Sequence, residues 1–238
     1  SHALSFFHLS SPDLLLGWDA DPAQRNIFGV MSKEPQLARD GIRLRQIGQQ
    51  IIEILGGKKI HPTWVVPGGV NEALTEEKRA AMLALIPEGM QIARRTYDFY
   101  KGLVPRFQDE ARHFGSLPTL FLSLVTPKGN LEHYDGLLRI KDAQGRIVED
   151  MVPPEDYQRV IGEAVEDFTF MKFPYYKPQG YPKGIYRVGP LARLNNAEAC
   201  GTPYADVALA EFRMLQESGP VTSSFHYPYA RLVEIIFA

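Results

Sequence analysis

The residues best able to bind a metal or move a proton are six histidines and one cysteine: His2, His8, His61, His113, His133, His226 and Cys200. Their spacing argues against a metal site. No two histidines stand in an H-E-x-x-H pattern, and no carboxylate pair flanks a histidine at ligand spacing. His2 and His8 are six apart, so they do not share a helical face. A lone cysteine cannot build a thiolate-bound cluster or a Cys-rich zinc site. Nucleophile-elbow, P-loop and dinucleotide fingerprints are absent. Residue types and spacing alone show no active site.

Two segments nevertheless resist a purely structural reading. "GGKKIHPTWVVPGGV" runs from Gly56 to Val70, with Gly56 and Gly57 at one end and Pro67, Gly68 and Gly69 near the other. Glycine permits positive φ or close backbone approach, and proline fixes φ, so this stretch is expected to hold one shape. His61 lies between the bends, and a satisfied core histidine is the plain alternative. The second segment, "KFPYYKPQGYPKGIYRVGPLARLN", sets Lys172, Arg187 and Arg193 among prolines, glycines and tyrosines. Cations on irregular backbone are common in functional loops, though solvated loop charge gives the same pattern.

The elements that must position these residues follow from periodicity. The start, "SHALSFFHLSSPDLLLG", predicts a helix broken near Ser11-Pro12, then one more turn stopped by Gly17. "DADPAQRNIFGVMSKEPQ" reads as a connector with a short helix. Leu37, Leu44, Ile47, Ile51 and Leu55 mark an amphipathic helix ended by Gly56-Gly57. Thr75 is a candidate N-cap. Leu83, Ile86, Met90, Ala93, Tyr97, Tyr100, Val104 and Phe107 form a 3-4 stripe, read as a core seam packed against the 37–55 helix. Pro87 fits the first turn of a new helix and Pro105 its end.

Character changes near Gly115. "PTLFLSLV" is a buried-strand candidate, and "GLLRIKDAQGRIVEDM" reads as a hairpin turning at Asp142 to Gly145. A short helix is expected from Pro154 to Ala164. The Pro/Gly/Tyr-rich stretch through "VGPLARLNN" reads as extended loops. "YADVALAEFRMLQES" and "YPYARLVEIIFA" return to helix. The expected fold is α+β, mainly α: a helical bundle with a small antiparallel β insert. It divides into a helical portion at 1–114, a hairpin and loop insert at 115–195 and returning helices at 196–238. Both ends are abrupt, with no initiator Met and no stop signal after the last helix. That predicts one structural domain truncated at both ends, a piece of a longer protein.

Composition limits partners. Lysine and arginine number 26 against 28 acidic residues, a net charge of −2, which suggests no nucleic-acid partner. The apolar runs are too short to span a bilayer, and the N-terminus is no signal peptide. One cysteine fits a reducing compartment, hence the cytoplasm.

Taken in order, these segments resemble the large subunit of nickel–iron hydrogenases. "GGKKIHPTWVVPGGV" resembles the glycine-flanked, histidine-containing motif in the middle of that subunit, and "RVGPLARLN" its "VGPLAR" motif. "HALSFFHLSSPDLLL" resembles the helix after the family's N-terminal cysteine motif. "NNAEACGTPYADVALAEFR" and "VTSSFHYPYARLVE" fit the NAD-reducing bidirectional type. The resemblance implies a nickel–iron centre held by four cysteines, in an R-x-C-G-x-C pair upstream and a D-P-C-x-x-C pair near the C-terminus. Neither pair occurs in this chain, so no metal ligand is assigned to it and no cofactor is expected on it.

The resemblance further implies heterolytic splitting of H2 at that centre in the parent protein. Electrons would pass to an iron–sulfur small subunit, then to flavin/NAD diaphorase subunits. By the same resemblance His61, Lys172, Arg193 and His2 would stand behind the metal ligands. His61 would lie toward the small subunit, held by a neighbour. The runner-up is a metal-free, hydrogenase-like scaffold or quinone-binding subunit of a respiratory NADH dehydrogenase-type complex.

Overall fold

The computed structural model describes residues 1–238, which group by contact into two units, Ser1–Arg106 and Phe107–Ala238. The first unit is helical. It opens with α1 (His2–Leu4), a π-helical stretch at Ser5–Ser10 and α2 (Ser11–Leu16). The expected break at Ser11-Pro12 does not occur. Pro12 has no N–H to give the preceding turn, and the helix widens there: Ser11 N–H reaches back five residues to Phe6 O. The Ser11 hydroxyl then donates to Phe7 O at 2.5 Å. The chain thus carries the proline without interruption and stops at Gly17, where φ is +91°.

A short α3 (Ile27–Lys33) starts under an Asn26 cap and leads into α4 (Pro35–Gly56), which ends on Gly57 in the left-handed conformation. Two small strands, β1 (Val65–Val66) and β2 (Gly69–Val70), pair antiparallel. Thr75 caps α5 (Glu76–Leu83), as expected, and α6 (Ile86–Leu103) carries Pro87 in its first turn.

The core of this unit lies where α4 and α6 meet the N-terminal helix. Phe6 stacks edge-on against Phe7 and Tyr100, at 5.1 and 5.4 Å between ring centres. A Cβ on Gly41 would fall 2.5 Å from the Phe7 ring, so only glycine lets α4 come this close. Buried Asp40 on α4 receives two hydrogen bonds from Arg95 on α6, at 2.7 and 2.8 Å. The expected seam is real at Ala93, Tyr97 and Tyr100, which are buried, and partly so at Met90, Val104 and Phe107. Leu83 and Ile86 depart from it, being 52% and 43% exposed. No residue of α5 is buried, although the helix touches α4 and α6.

The second unit begins with α7 (Gln108–His113) and is built on a four-stranded sheet ordered β5-β4-β3-β8, where β8 is Tyr186–Arg187. Strands β3 (Leu120–Val125), β4 (Leu137–Lys141) and β5 (Ile147–Val152) pair antiparallel. The β4–β5 turn sits at Asp142 to Gly145, as the pattern predicts. Asp142 accepts from the backbone N–H of Gln144 and Arg146, and Gly145 supplies φ of +82°.

Three expectations for this unit need correction. The helix placed at Pro154–Ala164 shrinks to a 3-10 turn (Pro154–Asp156) and α8 (Tyr157–Val160). Ile161–Glu166 is β6 and pairs with β7 (Thr169–Tyr176) in a separate hairpin. Alternating side chains and cross-strand pairing override the local helical pattern there. Part of the supposed loop is therefore strand, and another part is helix: α9 (Pro190–Asn196) starts at Gly189, where φ is +81° and Pro190 fills the first turn. Finally, the sheet is not wholly antiparallel, because β8 (Tyr186–Arg187) pairs parallel to β3.

Helices α10 (Pro203–Arg213) and α11 (Tyr227–Phe237) complete the unit, α9 packing between β3 and α11. The mainly helical α+β fold stands as expected. No helix is long and apolar enough to cross a membrane.

The aromatic knot of the first unit sets an expected cost. Phe6→Ala removes a ring that is 1% exposed and should lower unfolding free energy by about 3–5 kcal/mol. Phe114→Ala, at a ring 60% exposed, should change it by less than about 0.5 kcal/mol. Chemical denaturation of both variants checks the contrast.

Candidate functional site

Helix α9 carries the "VGPLAR" residues into the interior of the second unit. Leu191 and Leu194 are fully buried, which turns Arg193 toward α11. There it meets Glu234, a carboxylate 1% exposed on a mainly apolar helix. Arg193 Nε donates to Glu234 Oε1 at 2.6 Å and its terminal nitrogen to Oε2 at 2.7 Å. This two-point geometry suits a planar guanidinium and holds the buried carboxylate in place. His133 Nε2 lies 3.4 Å from the same Oε1, with its ring partly in solvent.

Cys200 completes the neighbourhood. Burial pushes its thiol up to about 12, and the nearby Asp206 and Glu234 carboxylates add to the effect. The backbone N–H groups of Cys200 and Gly201 both donate to Asp206 Oδ1. A protonated, enclosed thiol is neither a nucleophile nor a soft metal ligand. Nowhere in the chain do three or more His, Cys, Asp or Glu side chains gather as a metal would require. The residues of this chain therefore do not fit a nickel–iron coordination sphere, and the chemistry they support is positioning.

Polar groups continue on the α9 face of the sheet. Asn196, fully buried, points its amide nitrogen at Phe121 O, Ser123 Oγ and Arg139 O, each at 3.0 Å. Arg139 makes two bonds to Asp150 and one to Glu198. Lys141 donates to Asn195 O and Glu198, while burial lowers its pKa against the pull of Glu198. Arg187 reaches the carbonyls of Thr222 and Gly115, and burial lowers its pKa as well.

The glycine-flanked segment lies in the first unit. A Cβ on Gly56 would sit 2.3 Å from the Pro62 ring, so the helix end and the loop touch only because the residue is glycine. Pro67 and Gly68 form the tip between β1 and β2, with Gly68 at φ +90° and Gly69 at +152°. Trp64 Nε1 clips the loop to Glu72 O at 2.9 Å. His61 sits in the left-handed region at φ +49°. Its ring is exposed and has no hydrogen-bond partner in the chain, so the neighbour expected to hold it is not found among these residues.

Of the other expected residues, Lys172 is exposed on β7 and His2 is partly buried in α1. His61 and His2 belong to the first unit, Lys172 and Arg193 to the second. Of these four, Arg193 is the one in a buried charge pair. Sequence reasoning missed its partner Glu234 and the His133 that approaches the same carboxylate. The available signal was a lone acid inside the apolar run "RLVEIIF", which must find a cation if that face is buried.

No protein-family model matches the chain. One relative, a component of the F420-non-reducing hydrogenase vhu of Methanocaldococcus jannaschii, is 41% identical over 239 residues, covering 100% of this chain and 56% of the relative. The beta subunit of the NAD-reducing hydrogenase HoxS of Cupriavidus necator is 35% identical over 248 residues, covering 100% and 50%. A chain of an NAD+-reducing [NiFe]-hydrogenase crystallised in the H2-reduced state superposes with a TM-score of 0.93 at 43% identity, covering 99% of this chain and 52% of that one.

Two measurements check the site. Glu234→Gln leaves Arg193 without its countercharge, and breaking such a pair should cost about 3 kcal/mol in a denaturation experiment. Cys200 should resist a thiol reagent at pH 7 in the folded chain and react once it is unfolded. From end to end, this chain is similar in sequence to hydrogenase subunits and shares the fold of a [NiFe]-hydrogenase chain, of which it spans about half the length.

Proposed function

We propose that this chain is the central part of the catalytic large subunit of a cytoplasmic nickel–iron hydrogenase. The reaction of the parent protein is reversible H2 oxidation. The observation that carries this reading is the match to a solved [NiFe]-hydrogenase chain over 99% of these residues at 43% identity. The named relatives are all hydrogenases, which favours this reading over the metal-free quinone-module scaffold.

Electron transfer to NAD, by way of an iron–sulfur small subunit, then flavin/NAD diaphorase subunits, is the finer part of the proposal. Similarity to HoxS and to the NAD+-reducing structure supports it. Similarity to the F420-non-reducing hydrogenase makes a different acceptor the competing outcome.

Within this reading the chain supplies shape and charge around a centre whose thiolates lie elsewhere in the parent protein. Arg193, fixed by Glu234, holds α9 in place. The His61 loop, rigid at Gly56 and Gly57 and turned at Pro67, Gly68 and Gly69, offers an exposed imidazole to the iron–sulfur subunit. Lys172 and His2 stand farther from the metals, as outer charges.

Two experiments test the proposal. Elemental analysis of the purified 238-residue chain should find no nickel or iron cluster, and the chain should evolve no hydrogen from reduced viologen. Stoichiometric nickel would overturn the assignment. In the intact enzyme, His61→Ala should slow H2-dependent NAD reduction while shifting the melting temperature little. Normal turnover with a lowered melting temperature would make His61 a structural residue only.

A further inference from the structure

We propose that the cleft between the N-terminal helical segment and α4 is a docking site for an acidic stretch of a partner polypeptide. The cleft lies wholly in the first unit and has a volume of about 460 Å³. Its polar lining is His8, Arg45, Gln46, Gln49, Gln50 and Lys59, and Ile42 gives one apolar wall. That volume is within the roughly 300–1,000 Å³ common for binding clefts.

Arg45 carries the argument. Arg39, Arg43 and Arg95, its neighbours on α4 and α6, are each bound to a side chain: Gln36, Glu88 and Asp40 respectively. Arg45 makes no hydrogen bond or ion pair, and it faces His8 closely enough to add to the lowering of the His8 pKa by burial. His8 Nδ1 is itself enclosed and has no partner. Lys59 meets Glu53 at 3.4 Å, both side chains being about half exposed, so that pair is weak. The cleft therefore presents a solvent-exposed guanidinium with no carboxylate partner beside an unsatisfied imidazole nitrogen.

The remaining lining decides the ligand class. Gln46 and Gln49 have no hydrogen-bond partners, and Gln50 receives only a long 3.4 Å contact from Arg43. Each carboxamide offers a donor and an acceptor, which suits a peptide backbone. The guanidinium suits a carboxylate in two-point contact. A single inorganic anion would fill little of the volume and leave the amides idle. Nucleic acid would want several unpaired cations and stacking rings, and the chain has a net charge of −2. An acidic peptide engages both the guanidinium and the carboxamides of the cleft. The curated relatives are named as subunits, which agrees with a second polypeptide as its source. The assignment does not rest on the hydrogenase reading and stands or falls without it.

The test uses the full-length protein purified with its natural partners. A photo-reactive benzoylphenylalanine replaces Gln46, and the cross-linked peptides are sequenced by mass spectrometry. The expected product joins position 46 to a partner segment rich in Asp and Glu. Arg45→Glu should cut its yield about tenfold, and Arg45→Lys should keep at least about half. Four outcomes would overturn the proposal. They are a product confined to the same polypeptide or a second copy, a partner segment without carboxylates, no product at all, or a yield indifferent to Arg45→Glu. Cross-linking needs no turnover, so failure of the hydrogenase reading is registered separately by the metal and activity assays.

Discussion

The second unit depends on how α9 is buried. A helix with Leu191, Leu194, Asn195 and Asn196 all enclosed brings polar groups into a dry interior, where an unpaired one costs on the order of 1–3 kcal/mol. Most of that demand is met by β3, β4, α11 and the Val221 backbone, the Asn196 side-chain oxygen being left without a partner. Asn196 is met by the carbonyls of β3 and β4, Asn195 pairs in both directions with the backbone of Val221, and Arg193 is met by Glu234. These bonds define where β3, β4 and α11 must lie, because their donors and acceptors have direction while the apolar packing does not. Cations buried on β4 follow the same rule through Asp150 and Glu198.

The first unit is organised differently. Its helices are joined by an aromatic knot and by two ion pairs between α4 and α6, Arg43 with Glu88 and Asp40 with Arg95, the Asp40 carboxylate being nearly enclosed. Closeness of approach is set by single glycines: Gly41 under Phe7 and Gly56 under Pro62. Where a core is built from close contacts rather than paired charges, helix surfaces beyond the contacts are left open. Helix α5 and the face of α4 that carries Arg45, opposite His8, are such surfaces. The buried polar groups of the second unit are tied mostly into its strands and helices, while the first unit leaves Arg45 and His8 Nδ1 unpaired at its surface cleft.

Buried histidine gives the second unit a pH response. His226 is 4% exposed with Nδ1 unpartnered, and burial lowers its pKa to about 4 from 6.5. Between those values the unfolded chain binds the proton and the folded chain does not. Stability from this group is therefore whole above pH 6.5 and is lost as pH falls toward 4, by about 3 kcal/mol at most. The effect runs opposite to that of a histidine paired with a carboxylate, and it arises from enclosure alone.

Much of the local structure was legible in the residues. The α4 stop at Gly56-Gly57, the Thr75 cap, Pro87 in a first turn and the Asp142–Gly145 hairpin all follow from backbone preferences that act within a few residues. The resemblance carried by the glycine-flanked and "VGPLAR" motifs was legible too, since it lies in residue order. What the sequence could not decide were the outcomes of competition between distant segments. Residues 161–166 became strand because 169–176 lay ready to pair with them, Pro12 stayed inside a helix because a serine hydroxyl served the carbonyl it left open, and residues 190–196 became helix against a sheet. The partnership of Arg193 with Glu234, 41 residues on, and the isolation of Arg45 are likewise tertiary facts. Charge type is written in the chain, but whether a charge finds a partner depends on which surfaces the fold brings within hydrogen-bond reach.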